Sequence, residues 1–121
     1  MKKVLVIEDD QFLSNAYRIK LSKAGYETKI CLDGEEALAS FPDFTPDLII
    51  LDLVLPGIDG FGVLNHIKTN EKYKQIPVII ASNLGQHEEI DKGLKMGAAD
   101  YIVKSDLTMD QLLDKIRLHI K

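Results

Sequence analysis

Acidic side chains stand directly after apolar runs at two places in the sequence. Glu8 and Asp9 follow the run VLVI, and Asp52 follows LIIL within the stretch LIILDLVLPGIDG. An apolar run of this kind predicts a buried strand, and burial disfavours the charged form of a carboxylate. A compensating positive charge is therefore expected near these acids.

The types of these residues point to phosphoryl chemistry with a magnesium ion. Three carboxylates that meet would repel one another and raise at least one pKa, and a divalent cation removes that difficulty. The candidate ligands are all oxygens, with no histidine or cysteine nearby in sequence, which favours Mg²⁺ over zinc. Ser82 and Lys104 end two further apolar runs. Their hydroxyl and ammonium groups could surround a phosphoryl group on Asp52, because a carboxylate is a competent nucleophile and transfer depends mainly on positioning and charge neutralisation.

Short apolar runs predict five strands that would position these residues. They are KVLVIE (3–8), ETKIC (27–31), DLIILD (47–52), PVIIAS (77–82) and DYIVK (100–104). Between them lie segments with helical spacing, the first with an apolar stripe formed by Leu13, Ala16, Tyr17, Leu21 and Ala24. Helix boundaries are predicted at the start signals Asp10, Asp33, Asp59 and Thr108 with Gln111, and at the stop signals Gly25 and Gly97.

The alternation of strands and helices predicts an α/β fold, a parallel sheet with helices on both faces. ETKIC alternates between polar and apolar residues and is expected at an edge, and right-handed crossovers then favour the flavodoxin-like, doubly wound order 2-1-3-4-5 with five helices. Ligands bind such sheets beyond the carboxyl ends of the strands, where the winding reverses between strands 1 and 3. That edge would collect Glu8, Asp9, Asp52, Ser82 and Lys104.

The composition is that of one globular domain, which we assign to residues 1–121. The net charge of −4 argues against a surface that coats nucleic acid, and no apolar run is long enough to span a membrane. A cytoplasmic location is the default expectation.

Cys31 is the single cysteine, so no internal disulfide can form, and a buried, inert thiol is expected. Phe12, Phe41 and Phe44 are expected to pack in or beside the core, and the three histidines to lie on the surface.

Four stretches together resemble the receiver domains of two-component response regulators. They are VLVIEDD, PDLIILDLVLPGIDG, IPVIIAS and MGAADYIVK, and they occur in the family's order and spacing over essentially the whole chain. Each stretch alone has low specificity, because apolar runs that end in Asp are common. The four together indicate a single-domain receiver similar to the chemotaxis regulators.

The resemblance implies a metal-dependent phosphorylation site. Asp52 would be the phosphoacceptor, Asp9 a direct Mg²⁺ ligand and Glu8 a ligand through water, with the backbone carbonyl of Val54 completing the protein's share.

The resemblance also implies a switch. Lys104 would contact the phosphoryl oxygens, and Ser82 would donate its hydroxyl to the phosphoryl group. Tyr101 would follow the movement of Ser82, which changes the face made by the fourth helix, the fifth strand and the fifth helix.

The implied partners are proteins. A sensor histidine kinase or a histidine phosphotransfer protein would supply the phosphoryl group, and a downstream protein target would read the switch. Direct nucleic-acid or membrane binding is not expected, and the chain would be a monomer or a phosphorylation-dependent homodimer. The chain would catalyse only its own phosphorylation and dephosphorylation.

The sequence departs from the family pattern at three places. Ser105 follows Lys104, where the family usually has proline after a cis bond; a cis bond before serine would cost about 3 kcal/mol, so we expect a trans bond with a shifted loop, or a strained exception. Asn83 follows Ser82 where a small residue is common. Val54 and Leu84 are apolar at positions where polar side chains can orient an attacking water, which predicts a long-lived phosphorylated form.

Two alternatives stay open. The first is a receiver-like interaction module that works without phosphorylation, as the Ser105 departure allows. The second is a phosphotransferase with an aspartyl-phosphate intermediate, which would need a second acid two residues after Asp52, where Val54 stands.

Overall fold

The structure, a computed structural model, describes residues 1–83 and 87–120. In this part of the chain strands and helices alternate strictly, and a short 3-10 turn at Lys104–Asp106 follows the last strand. The strands are β1 (Lys3–Ile7), β2 (Glu27–Cys31), β3 (Leu48–Leu51), β4 (Val78–Ser82) and β5 (Asp100–Val103). The helices are α1 (Gln11–Lys23), α2 (Gly34–Ser40), α3 (Gly60–Lys68), α4 (His87–Lys95) and α5 (Met109–His119).

The strands form one parallel sheet in the order β2-β1-β3-β4-β5, as predicted, with β2 at an edge. In the register of the two central strands, Ile7 lies opposite Leu51. The next peptide continues the pairing, since the amide of Asp52 donates to the carbonyl of Ile7 at 3.0 Å. Glu8 and Asp52 therefore leave the sheet side by side.

Consecutive residues of the central strands pack on opposite faces of the sheet. Ile49 and Leu51 belong to the core that also contains residues of α2 and α3, whereas Leu48 and Ile50 pack with α1 and α5. All four residues of β3 are buried, which explains its apolar run without alternation. Each fully buried Leu or Ile side chain contributes about 1.5–3 kcal/mol, so this strand is fixed firmly in place.

The predicted helix boundaries are confirmed. Asp10, Asp33 and Asp59 each accept a hydrogen bond from the amide three residues later, at 3.1, 2.7 and 2.8 Å. Thr108 and Gln111 form the predicted capping box at the start of α5. Gly25 and Gly97 follow α1 and α4 with φ values of +93° and +106°, a conformation that favours glycine.

The loop after Lys104 takes the first of the two conformations expected for it. No cis peptide bond occurs in the described residues, so the Lys104–Ser105 bond is trans, and the chain turns through the 3-10 segment instead. No helix in residues 1–83 or 87–120 is long and apolar enough to span a bilayer.

One expectation about side chains is wrong, and another holds only in part. Phe12 does not pack in the core, because it lies on the solvent side of the first turn of α1 and is 89% exposed. His119 is only partly at the surface, because its side chain is 23% exposed and its Nε2 lies 3.1 Å from Asp100 Oδ2. By contrast, Cys31 is buried as expected, and burial raises the pKa of its thiol to about 11, which keeps it unreactive.

Gly60, the first residue of α3, packs directly against the peptide that follows the candidate phosphoacceptor. A Cβ at this position would lie 2.4 Å from the carbonyl oxygen of Asp52 and 2.4 Å from Cα of Leu53. The amide of Gly60 donates to the carbonyl of Leu53 at 2.9 Å. Glycine thus allows α3 to hold the loop after β3 in place.

We predict that Gly60→Ala lowers the free energy of unfolding by about 2–3 kcal/mol, because backbone atoms must move to admit the methyl group. Chemical denaturation measures the change. Gly62→Ala is the control, since its Cβ would meet only side-chain atoms, the Cγ2 methyl group of Ile58 at 2.8 Å and Asp59 Oδ1 at 3.4 Å, and alanine favours the helix. Equal stability of the Gly60→Ala variant and the wild type would contradict the prediction.

Candidate functional site

Three carboxylates meet at the carboxyl edge of the sheet, as predicted. One oxygen from each of Glu8, Asp9 and Asp52 lies within 4.8 Å of the others. Glu8 and Asp52 are buried, with 2% and 6% of their surfaces exposed, whereas Asp9 is exposed. The pairing of β1 with β3 places Glu8 beside Asp52, and Asp9 lies in the turn that leads into α1.

Lys104 brings a positive charge to this cluster. Its Nζ lies 2.5 Å from Glu8 Oε1 and 3.2 Å from Asp52 Oδ2. Lys104 follows directly after β5, the strand next to β4, and its side chain is only 16% exposed. The structure thus brings the Lys104 ammonium to these acids with a trans bond to Ser105.

The electrostatics of the cluster follow from burial and from this ammonium group. Burial raises the pKa of Glu8 to about 7, and the nearby Asp52 carboxylate acts in the same direction; hydrogen bonds from Lys104 and from the Asp10 amide oppose the increase. Burial lowers the pKa of Lys104, but its hydrogen bond with Glu8 and the charge of Asp52 more than offset this and raise it. One ammonium group thus faces more than one carboxylate.

The cluster fits a hard divalent cation. Its donors are carboxylate oxygens, the ligands that Mg²⁺ prefers, and the acids leave an excess of negative charge beside Lys104. Burial, and to a smaller extent the Asp52 carboxylate, raises the pKa of Glu8, and a bound cation would oppose both effects.

Ser82 and Tyr101, the two predicted switch residues, interact with each other. Ser82 is fully buried at the end of β4, opposite Val103 of β5. Burial raises the pKa of Tyr101, and a hydrogen bond with Ser82 opposes the increase. The Tyr101 ring lies over Gly93 of α4, where a Cβ would be 3.4 Å from the ring.

Val54 borders the site as predicted. Its amide donates to Asp52 Oδ1 at 3.3 Å, and its side chain is 60% exposed. Leu84, the second apolar position noted in the sequence, lies outside the described residues.

Two residues next to the site were missed by the sequence analysis. The buried hydroxyl of Ser14 lies 2.8 Å from the carbonyl of Asp10 and 3.1 Å from that of Glu8. Tyr17 is buried, as its place in the apolar stripe predicts. It also lies near the acids, because burial and the charges of Glu8 and Asp52 raise the pKa of its phenol. The stripe placed Tyr17 in the core without placing it near the acids.

Comparisons with known proteins agree with this fold and site. Residues 4–117 match the family model of the response regulator receiver domain. The DNA-binding dual master transcriptional regulator RpaA of Synechocystis is 36% identical over 117 residues, which are 97% of this chain and 48% of RpaA. The structure of the chemotaxis protein CheY4 of Vibrio cholerae has a TM-score of 0.92 at 28% identity and covers 99% of each chain. The BeF3-activated N-terminal receiver domain of Klebsiella pneumoniae RstA has a TM-score of 0.90 at 29% identity, over 98% of this chain and 97% of that one.

The doubly wound sheet in the order β2-β1-β3-β4-β5, with an acid cluster at its carboxyl edge, defines a flavodoxin-like fold. The chain belongs to the receiver domain family of the two-component response regulators. It spans about half the length of the curated relatives that it matches, 48% in the case of RpaA.

We predict that the metal-free protein loses stability as pH rises from about 5 to 8. Since the pKa of Glu8 is raised from 4.5 to about 7 in the folded state, its contribution is fully present below pH 4.5 and is lost as pH rises through 7. The loss can reach about 3 kcal/mol. Thermal unfolding with a chelator over this pH range measures it, and Glu8→Gln should remove most of the slope. An unchanged slope in that variant would refute the assignment to Glu8.

Proposed function

We propose that the chain accepts a phosphoryl group on Asp52 from a phosphohistidine of a sensor histidine kinase or a histidine phosphotransfer protein. The observation that carries this proposal is the Asp52 carboxylate, 3.2 Å from the Lys104 ammonium within a cluster of three acids. A buried nucleophile with a cation beside it is suited to an anionic electrophile.

The chemistry is a single displacement at phosphorus. A carboxylate oxygen of Asp52 attacks, the phosphorus–nitrogen bond of the phosphohistidine breaks, and the imidazole leaves with the electron pair. Lys104 stabilises the charge on the phosphoryl oxygens, and Ser82 donates its hydroxyl to the bound group.

A magnesium ion would be held by Glu8, Asp9, Asp52 and the backbone carbonyl of Val54, with Asp9 direct and Glu8 through water. When bound, the ion neutralises charge on the phosphoryl oxygens. This chain's own residues orient the acceptor, because Lys104 and the Val54 amide contact opposite oxygens of the Asp52 carboxylate.

The Ser82 hydroxyl links phosphorylation to the surface that binds the target. Ser82 hydrogen-bonds to Tyr101, so a Ser82 that turns toward a phosphoryl group changes the surroundings of the tyrosine ring beside α4. The affected face comprises α4, β5 and α5, and a protein target would bind there. If the phosphoryl group stabilises one of two conformations by a few kcal/mol more than the other, that difference is enough to reverse their populations.

The biological setting is part of the proposal. The chain acts in the cytoplasm as a monomer or a phosphorylation-dependent homodimer, and its target is a protein rather than nucleic acid or membrane. RpaA is a DNA-binding regulator about twice as long as this chain. The DNA binding of RpaA is therefore not carried over, and the proposed protein target rests on the receiver domain alone.

The two alternatives have less support. Ser105 motivated a phosphorylation-independent module, but Lys104 reaches the acids with a trans bond after it. A phosphotransferase needs a second acid at position 54, where the exposed Val54 lies.

We predict that incubation with acetyl phosphate and Mg²⁺ raises the intact mass by one phosphoryl group. Asp52→Asn should abolish the increase, because an amide is not a competent nucleophile. Asp43→Asn, which changes an exposed acid in the loop before β3, is the matched control and should be labelled fully. Equal labelling of both variants would place the acceptor elsewhere.

We also predict a long-lived phosphorylated form. Val54 offers no hydrogen bond to an attacking water, so Val54→Asn should speed dephosphorylation several-fold without lowering the extent of labelling. Phosphate release after removal of acetyl phosphate measures the rate. Loss within seconds from the wild type, at the same rate as from the variant, would show that position 54 has no such role.

A further inference from the structure

Asp9 lies between two peptide groups that the structure holds firmly. The amide of Glu8 donates to the carbonyl of Cys31 at 3.0 Å, which extends the pairing of β1 with β2. The amide of Asp10 donates to Glu8 Oε2 at 3.1 Å. Asp9 itself is exposed, so the direction of its carboxylate depends on the path of this short turn.

The hydroxyl of Ser14 contacts the carbonyls on both sides of Asp9. Ser14 Oγ lies 2.8 Å from the carbonyl oxygen of Asp10 and 3.1 Å from that of Glu8. A helical serine often bonds the carbonyl four residues earlier, so the first contact alone is ordinary. The second reaches six residues back, beyond the start of α1, and links the helix to the end of β1.

The serine is also shielded from solvent. It is 3% exposed, while most of the polar side chains of α1 face outward. Water therefore does not replace its hydroxyl easily. The Asp10 carbonyl also accepts the backbone amide of Ser14 at 2.9 Å, so a missing hydroxyl would mainly remove the contact with the Glu8 carbonyl.

We propose that Ser14 is a positioning residue for the acid cluster: its hydroxyl ties the carbonyls of Glu8 and Asp10, the two neighbours of Asp9, to α1 and so directs the Asp9 carboxylate toward the cluster with Glu8 and Asp52. The inference rests on the proposed use of Mg²⁺ at this site. Mg²⁺ requires close to ideal octahedral geometry, so a ligand on a loosely held turn must be ordered when the ion binds. Ser14 provides that order in advance.

A comparison of Ser14→Ala with Ser22→Ala tests the proposal. Ser22 lies on the same helix with its side chain in solvent, so both changes have the same effect on helix propensity. Titration of Mg²⁺ followed by NMR of the backbone amides gives the dissociation constant. We expect it to rise about fivefold for Ser14→Ala, the equivalent of one hydrogen bond, and to stay unchanged for Ser22→Ala.

A second measurement on the metal-free protein separates positioning from general stability. Hydrogen exchange at the Asp10 amide should become faster in Ser14→Ala, whereas exchange in the central strands should match that of the Ser22→Ala control. Equal Mg²⁺ affinity of the two variants overturns the proposal, and so does a wild type that binds no Mg²⁺. If affinity differs as expected but Asp52 is never phosphorylated, the positioning role stands and the proposed function fails.

Discussion

Two buried carboxylates and one ammonium group set the requirements that the rest of the structure meets. Glu8 and Asp52 each contact Lys104 Nζ, at 2.5 and 3.2 Å. Removing such charges from water costs several kcal/mol per ion, and one lysine cannot compensate every acid of the cluster. Such an arrangement is weak as a source of stability. Under the proposed function, its value lies in the negative charge that it offers to a cation, which would explain why so apolar a strand ends in an acid.

The rigidity of the sheet, more than the ion pairs, holds this cluster together. Glu8, Asp52 and Lys104 follow the ends of β1, β3 and β5, and β4 lies between β3 and β5. A shift of one residue in any register would turn a side chain to the other face. The fully buried residues of β3 and β4, packed on both sides, prevent such a shift. Core packing therefore fixes the distances on which the electrostatics depend.

The sequence predicts the elements better than the contacts between them. Continuous apolar runs and capping residues identify strands and helix starts because both signals are local. The position of Lys104 does not follow from the family rule, which involves a proline after the lysine, yet a 3-10 turn with a trans bond brings its ammonium to Glu8 and Asp52. Phe12 was misassigned because an aromatic residue near a helix start can face either way. Ser14 was missed because its contact with Glu8 depends on the path of the turn, which no periodicity encodes.

The edge strand β5 belongs to the proposed output face, and a second charged cluster fixes it to α5. Asp100 Oδ1 accepts the amide of Tyr101 at 2.8 Å, while Oδ2 lies 3.2 Å from Lys115 and 3.1 Å from His119. Burial opposes ionisation here, but these hydrogen bonds outweigh it and lower the pKa of Asp100. The carboxylate thus joins the backbone of the proposed switch residue to the last two turns of α5. Under the proposed switch, a movement of Tyr101 that broke its bond to this charged, 22% exposed carboxylate would also alter the bonds from Lys115 and His119, so Asp100 would couple β5 to α5.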